Sequence, residues 1–261
     1  MSLSDRDFGL LQQSIDAIMA KIASLNLSLV IESDFQKLQD YLEEHSPSIN
    51  PTFNPAYNDL TKNGFWFRVI DDRGTTVACH ADRIFHVNDF CDLLETGELW
   101  FDGGFRNRSL GRLPIIRPPT RIGGAVSHSG SLWVDPSYRG KGLSLYLPYL
   151  SRSLLLRNYE TEFHTGVVFR SLAGSQVPTA NYGYPHVEIC IDGYFPPTGR
   201  EEQIYLCYVS QAESLQILRR LPWHPMFPVA FGDGLDLEIV EGPVVDADQE
   251  HVHPPAIVRQ R

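Results

Sequence analysis

One segment, residues 132–147, limits what this chain can fold into more than any other part of the sequence. It opens with the apolar run 132–134, which is typical of a strand, and Pro136 ends that strand because proline has no amide hydrogen to donate. Gly140 and Gly142 permit backbone conformations that a Cβ atom forbids. A leucine-rich run typical of a helix begins at about Gly142. The segment therefore predicts a strand, a glycine-containing turn and a helix in immediate succession.

The predicted turn has the chemistry of an anion site. The first amides of a helix have no partners inside the helix, and they lie at the positive end of its dipole. Gly140 and Gly142 let a ligand approach the backbone closely, and Arg139 and Lys141 add positive charge. The alternative is a solvated surface turn. The order of strand, proline, basic residues and helix favours a pyrophosphate site over that alternative.

The same residues resemble a known family motif. Arg139-x-x-Gly142-x-Ser144 is similar to the Arg/Gln-x-x-Gly-x-Gly/Ala pattern called motif A in the GNAT superfamily of N-acetyltransferases. The longer family phrase V-x-P-x-x-R-G-x-G is met by Val134, Pro136, Arg139, Gly140 and Gly142. Two features depart from the pattern: Ser144 stands at the last small position, and Pro148 lies inside the predicted helix. Proline there predicts a kink or a late helix start.

The resemblance covers about residues 60–210 and implies the fold and the cosubstrate. The implied class is α+β, a mixed α/β arrangement in which helices flank a central mixed, mostly antiparallel sheet. Two central parallel strands splay apart, and acyl-CoA enters the wedge between them. The cosubstrate would be acetyl-CoA or another coenzyme A thioester, with no metal. By this resemblance, the strand residues Leu132 and Val134 would bind pantetheine. The loop and helix start would bind the pyrophosphate through Arg139, Gly140, Lys141, Gly142, Leu143 and Ser144.

Catalysis in the family is direct attack of an amine on the thioester, which needs a base and often a tyrosine acid. Tyr182 and Tyr184, in a degenerate match to the family's motif B, are the candidate acids, with Tyr182 ahead. The alternative is that both pack in the core. His128 is the candidate base, because it precedes Arg139 by about the distance seen for the base in related members. The alternative reading of His128 is a turn histidine. Weaker candidates for the base are His80, His164 and Glu162.

The remaining patterns divide the chain into three parts. Residues 1–58 are expected to form an N-terminal helical segment packed on the main domain, 59–222 the acyl-CoA-binding domain, and 223–261 a C-terminal extension. Aromatic and β-branched runs on both sides of 71–74 predict a β-hairpin. The irregular stretch 86–124 is predicted to be an insertion before motif A.

Composition and charge exclude several classes of function. The net charge of −10 disfavours binding to nucleic acid and to acidic membranes. The four cysteines form no CxxC pair, so no zinc site is expected, and Cys190 and Cys207 are predicted to be buried thiols facing each other across a hairpin. No apolar run reaches ~18 residues, and a cytoplasmic protein is expected. Five arginines in 106–121 predict a solvated loop, with contact to the 3′-phosphate of coenzyme A as the alternative.

The function that these patterns favour is an acyl-CoA-dependent N-acyltransferase. It would move an acetyl or another acyl group to an amine by direct attack in a ternary complex. The acceptor would be a small-molecule or peptide amine, and the acidic net charge favours a cationic one. The alternatives are a non-catalytic acyl-CoA-binding or sensor module, an acyl-homoserine-lactone synthase, and an aminoacyl transferase on the same fold. Whether the chain forms a homodimer is left open.

Overall fold

The computed structural model describes residues 3–45, 50–108 and 110–221, together with the strands at 237–240 and 257–260. The helices of the described chain are α1 (Asp5–Ala23), α2 (Phe35–His45), α3 (Phe90–Thr96), α4 (Leu143–Tyr159), α5 (Arg170–Ala173) and α6 (Gln211–Arg220). The strands of the main sheet are β1 (Ser28–Glu32), β2 (Gly64–Ile70), β3 (Thr76–Val87), β4 (Gly124–Val134), β5 (Phe163–Phe169), β6 (His186–Phe195) and β7 (Arg200–Ser210). A separate two-stranded sheet is formed by β8 (Leu237–Val240) and β9 (Ile257–Gln260).

The main sheet has the strand order β1-β2-β3-β4-β5-β7-β6. Every neighbouring pair is antiparallel except β4 and β5, which run parallel. Parallel neighbours need a crossover, and α4 supplies it between β4 and β5. The predicted class, an α+β fold with a mostly antiparallel sheet around a central parallel pair, is therefore confirmed.

Helices and loops cover both faces of the sheet. On one face, α1, α4 and α6 bury an apolar core against alternate residues of β1, β2 and β3, such as Phe65 and Phe67. On the other face, α2 packs over Trp66 and Cys79, and the excursion between β3 and β4 packs over β6 and β7. This excursion contains α3 and a short 3₁₀ turn at Phe105–Arg108. The two faces thus have separate cores, and the β4–β5 junction lies between them.

Local sequence signals set several element boundaries. Ser4 and Asp7 form a reciprocal capping box at the start of α1, and Ser210 and Glu213 do the same for α6. The predicted hairpin is β2 and β3, joined through a tight turn in which the Gly74 amide donates to the Asp71 carbonyl. No helix among the described residues is both long and apolar enough to cross a membrane.

Three local expectations were wrong or incomplete. Cys190 and Cys207 are buried free thiols, but Cys207 pairs with Val187, because the hairpin closes with Phe195 opposite Arg200 and an irregularity between Ile189 and Ile191 shifts the register by one further residue. His128 lies inside β4 rather than in a turn, since the strand begins at Gly124. The helix α4 continues through Pro148.

The proposed extension 223–261 lies outside the described residues except for β8 and β9, and the three-part division of the chain stays a prediction.

Candidate active site

The loop between β4 and α4 forms an open cradle of backbone amides. The Asp135 carboxylate accepts hydrogen bonds from the amide of Ser137 (2.8 Å) and from its hydroxyl, which fixes the turn after the strand. Gly140 and Gly142 have φ of +76° and +86°, a conformation that side chains disfavour. Gly142 is the N-cap of α4 and supplies no side-chain cap. Within the described chain, the amides of 140–144 donate to no protein acceptor.

A cavity of about 370 Å³, which we call the cradle cavity, lies directly over these amides. Seven of the eight residues predicted to bind the cosubstrate line it, and Lys141 does not. Its ammonium instead lies 4.3 Å from the centre of the Tyr138 ring. The residues of the lining are Leu132, Trp133, Val134, Tyr138, Arg139, Gly140, Gly142, Leu143, Ser144 and Tyr182. None of these described lining residues is acidic.

The parallel strands β4 and β5 separate beside this loop. They pair only from Val126 with Phe163 to Ser129 with Gly166, although both strands continue further. On the other side of β4, two residues, Ser131 and Leu132, lie opposite His80 alone, which is a β-bulge. Ser131 has φ of +49°, an uncommon value for a residue with a side chain. The parallel pairing thus ends beside the bulge although both strands continue, so the splay predicted from the resemblance is present.

A smaller cavity of about 160 Å³, the wedge cavity, fills the splay. It shares Leu132 and Tyr182 with the cradle cavity, so the two adjoin. Further lining comes from Ser129 and Gly166 at the end of the paired segment and from Pro148 of α4. A third cavity of about 370 Å³ shares Leu132 with both of the others. The three cavities therefore form a line of neighbours that share lining residues at the splay.

The two candidate tyrosines have different environments. The Tyr184 hydroxyl is buried and donates to the Thr165 carbonyl at 3.1 Å, and burial raises its pKa to about 12. Tyr182 lines both the cradle and the wedge cavities, and burial raises its pKa as well. In the part of the chain that the structure describes, the Tyr182 hydroxyl has no hydrogen-bond partner. Tyr182 thus belongs to the lining of both cavities, and its hydroxyl is protonated near neutral pH.

A buried arginine, which the sequence patterns did not single out, fixes the segment that carries both tyrosines. Arg152 of α4 donates to the carbonyls of Tyr182 (2.8 Å) and Gly183 (3.2 Å), and its guanidinium lies 5.0 Å from the Tyr184 ring centre. Gly183 has φ of +67°, and a Cβ atom there would lie 2.4 Å from the Tyr149 hydroxyl. Only glycine therefore fits at this position without a shift of its neighbours.

The wedge also contains a buried carboxylate. Asp82 is fully buried on β3 and accepts hydrogen bonds from the hydroxyls of Ser129 (2.5 Å) and Ser151 (2.7 Å). His80 lines the wedge cavity, with Nε2 3.6 Å from the Asp82 carboxylate. Neither ring nitrogen of His80 has a hydrogen-bond partner among the described residues. His80 thus belongs to the lining of the cavity between β4 and β5, with the Asp82 carboxylate beside it, and both of its ring nitrogens are buried from solvent.

His128, the predicted base, has a different position. It is fully buried between the rings of Phe53 and Phe90, and no described cavity includes it in its lining. Its Nδ1 lies 3.1 Å from the Thr165 hydroxyl, which itself donates to the Ser127 carbonyl, so Nδ1 carries the proton. Burial lowers the pKa of His128 to about 3, which keeps the ring neutral. The geometry does not favour it as a base.

The other sequence candidates are committed elsewhere. His164 is buried between the hydroxyls of Ser127 (2.6 Å) and Thr161 (3.1 Å). Arg117, from the arginine-rich stretch, bonds three carboxylates of the excursion at 2.7–2.8 Å. Within the described ranges, no group of three or more His, Cys, Asp or Glu side chains is placed to hold a metal ion.

Comparison with known proteins yields weak structural similarities only. No family model and no curated protein matches the sequence. Arabidopsis thaliana NAA60, solved with acetyl-CoA, has a TM-score of 0.44 and 11% identity over 71% of this chain and 99% of its own. The dodecameric spermidine N-acetyltransferase of Vibrio cholerae has a TM-score of 0.41 and 12% identity over 74% and 98%. The ribosomal-protein-S5-alanine acetyltransferase of Vibrio fischeri has a TM-score of 0.39 and 14% identity over 71% and 93%. Similarities at this level assign neither a family nor an activity.

Proposed function

We propose that this chain is a GNAT-type N-acyltransferase that moves an acyl group, acetyl in the simplest case, from coenzyme A to an amine. The observation that carries the proposal is the junction of two features. The amides of 140–144, which donate to no protein acceptor among the described residues, border the cradle cavity, and this cavity adjoins the wedge between the parted parallel strands at Leu132 and Tyr182. A helix N-terminus alone binds many anions, but here it continues into a slot lined by unpaired strand edges.

The residues present fit an acyl-CoA. The positive φ of Gly140 turns the loop, and a Cβ atom there would meet nothing within 4 Å, so the cradle is open above it. Free amides at the start of α4 suit a pyrophosphate, and Arg139 adds a positive charge at the rim. The edge of β4 at 132–134, no longer paired with β5, suits the amides of a pantetheine arm. When bound, acyl-CoA supplies the thioester whose carbonyl carbon the amine attacks.

We assign the base to His80 and its support to Asp82. An amine attacks only when it is neutral, so a group in the wedge must take its proton. His80 lines that cavity, and its Nε2 lies 3.6 Å from the buried Asp82 carboxylate. The hydroxyls of Ser129 and Ser151 hold Asp82 in place by donating to its two carboxylate oxygens. This arrangement supports His80 over the sequence candidate His128, which lies outside the described cavities.

We assign the acid to Tyr182 and its positioning to Arg152. The thiolate that leaves during transfer needs a proton, and the free Tyr182 hydroxyl at the junction of the cradle and wedge cavities can donate it. Its raised pKa keeps that hydroxyl protonated near neutral pH. Arg152 holds the Tyr182 backbone through a 2.8 Å bond and so sets where the ring lies. Tyr184 is bonded to Thr165 and serves as the packing partner of this segment.

The test mixes the purified full-length protein with acetyl-CoA and a broad panel of amines. Free thiol is followed by absorbance, and the amide product by mass spectrometry. The proposal expects amine-dependent thiol release matched one to one by amide. Release no faster than the protein-free blank across the panel would falsify it. Tight coenzyme A binding without turnover would instead identify a binding module.

A further inference from the structure

The third cavity of the line, which we call the far-face cavity, lies on the opposite side of the splay from the cradle. It shares Ser131, Leu132, Val167 and Val168 with the wedge cavity, so it opens onto the same point of β4 and β5. Its walls come from the face of the sheet that α2 and the β3–β4 excursion cover. Its volume is about 370 Å³.

The walls of the far-face cavity are aromatic and aliphatic. Its main apolar side chains are Leu42, Trp100, Trp133, Phe169, Phe195 and Ile204. Its polar contributions are the neutral side chains of Asn50, Ser131 and Thr198. None of the described lining residues carries a charged or titratable side chain. A cation that entered it would lose water and gain no carboxylate in return, which is costly.

The far-face cavity also has its own mouth. Phe169, with 43% of its surface exposed, and the exposed Thr198 on the β6–β7 turn lie at its edge. An acceptor must reach the thioester while the cosubstrate fills the cradle and the wedge. The far-face cavity offers a second route to the same point from the other side of the sheet. A mouth separate from the cradle favours an acceptor, which enters independently, over the tail of the acyl group, which arrives with coenzyme A.

From these features we propose that the acceptor is a primary amine borne on an uncharged aromatic or aliphatic group, and that this group occupies the far-face cavity. The inference rests on the proposed function and narrows its substrate class. This acceptor class differs from the cationic acceptor that the net charge of the whole chain favours. The uncharged residues that line the cavity contact the substrate directly, whereas the surface charges are distant from it. Polyamines are excluded by the same reasoning.

The first test compares hexylamine with 1,6-diaminohexane, which differ by a second amino group at the same chain length. With acetyl-CoA as donor, kcat/KM for hexylamine should exceed that for the diamine by at least about tenfold, because the second ammonium has no partner in the cavity. Across butylamine, pentylamine and hexylamine, kcat/KM should rise by up to about fourfold per buried methylene. Equal or better turnover of the diamine would overturn the inference.

A donor series separates the two possible contents of the cavity. Acetyl-, butyryl- and hexanoyl-CoA are compared with hexylamine held fixed. The inference expects no gain with longer acyl chains. If kcat/KM rises steadily with the length of the acyl chain and does not depend on the length of the amine, the cavity holds the acyl tail. That result would refute the proposed acceptor site.

One variant places charge in the cavity without touching the buried core. Thr198→Asp adds a carboxylate at an exposed position of the lining and should narrow the preference for hexylamine over the diamine by at least about fivefold. Thr75→Asp, at an exposed turn residue outside the described cavities, is the matched control and should leave the preference unchanged. If both variants change the preference for hexylamine over the diamine equally, the placement of the acceptor in the far-face cavity is contradicted.

Binding can be read without turnover, because Trp100 and Trp133 both line the far-face cavity. Hexylamine should change tryptophan fluorescence at lower concentration than the diamine does. If hexylamine binds in this way and no amine is acylated, the proposed function fails while the acceptor site stands. If amines are acylated but the diamine binds as well as hexylamine, the inference fails while the function stands.

Discussion

The cradle can be tested by placing a single negative charge at Gly140. Gly140→Asp and Gly140→Asn introduce side chains of nearly the same shape at an exposed position with φ of +76° and open space around it. Asp and Asn both tolerate the left-handed conformation, so its cost of about 1–2 kcal/mol cancels between the two variants. The difference in coenzyme A affinity between the two variants therefore reports the effect of the added negative charge. The Asp carboxylate would lie beside the amides that are proposed to hold the pyrophosphate.

The magnitude follows from Coulomb's law. At a separation of roughly 5 Å, one pair of like charges repels by about 1 kcal/mol in a water-like medium and about 3 kcal/mol at an effective dielectric constant of about 20. Coenzyme A should therefore bind Gly140→Asp about fivefold to 150-fold more weakly than Gly140→Asn. The penalty should shrink between about 0.05 M and 0.5 M salt, because added ions screen exposed charges.

Isothermal titration of both variants with coenzyme A at the two salt concentrations measures this difference. A carboxylate near a helix N-terminus is favourable in the free protein, so Gly140→Asp should unfold at a urea concentration no lower than Gly140→Asn does. This control separates lost binding from lost folding. Equal dissociation constants for the two variants at low salt would refute the reasoning, because they would place the pyrophosphate away from 140–144.

Three further predictions concern the two tyrosines, Arg152 and His128. Tyr182→Phe should lower kcat on the order of 100-fold with little change in the KM for acetyl-CoA. Tyr184→Phe should mainly lower the free energy of unfolding, by about 1 kcal/mol. Equal effects of the two substitutions on kcat would contradict the assignment of Tyr182 as the acid and of Tyr184 as a packing residue. Arg152→Met should cost about 2–4 kcal/mol in urea denaturation, because it leaves two buried carbonyls without donors, and unchanged stability would argue against the clamp. His128 has a pKa of about 3 in the folded protein, below its ordinary 6.5, so its contribution to stability is present above pH 6.5 and is lost as the pH falls toward 3. The stability difference between wild type and His128→Gln should therefore shrink by about 2 kcal/mol between pH 7 and pH 5, and a pH-independent difference would contradict this.

The sequence was most informative where chemistry depends on neighbours along the chain. The strand, the turn with two positive-φ glycines and the helix that begins after Gly142 all follow from local patterns. The wedge could be expected only through the family resemblance, because the parting of β4 from β5 depends on strand pairing. The insertion was expected from its irregular composition, but its role as the wall of a cavity was not.

The interior of the site could not be predicted, because it is assembled from distant segments. Asp82, Ser129 and Ser151 meet only once β3, β4 and α4 are packed together. No local signal identifies Arg152 as buried, since an arginine in a leucine-rich helix is equally typical of a surface-facing position. For His128, the spacing from Arg139 suggested a base, but strand alternation decides which face a side chain meets. The face on which His128 lies follows from the register of β4, which its distance from Arg139 along the chain does not give.

The central claim is that coenzyme A lies along the amides of 140–144 and in the wedge between β4 and β5. Hydrogen–deuterium exchange of the full-length protein, with and without saturating coenzyme A, tests this claim most directly. Exchange is expected to slow in peptides covering 139–147, 131–134 and 166–169, while peptides from α2 and from the β6–β7 turn change little. Saturable binding that leaves the exchange of 139–147 unchanged would contradict it.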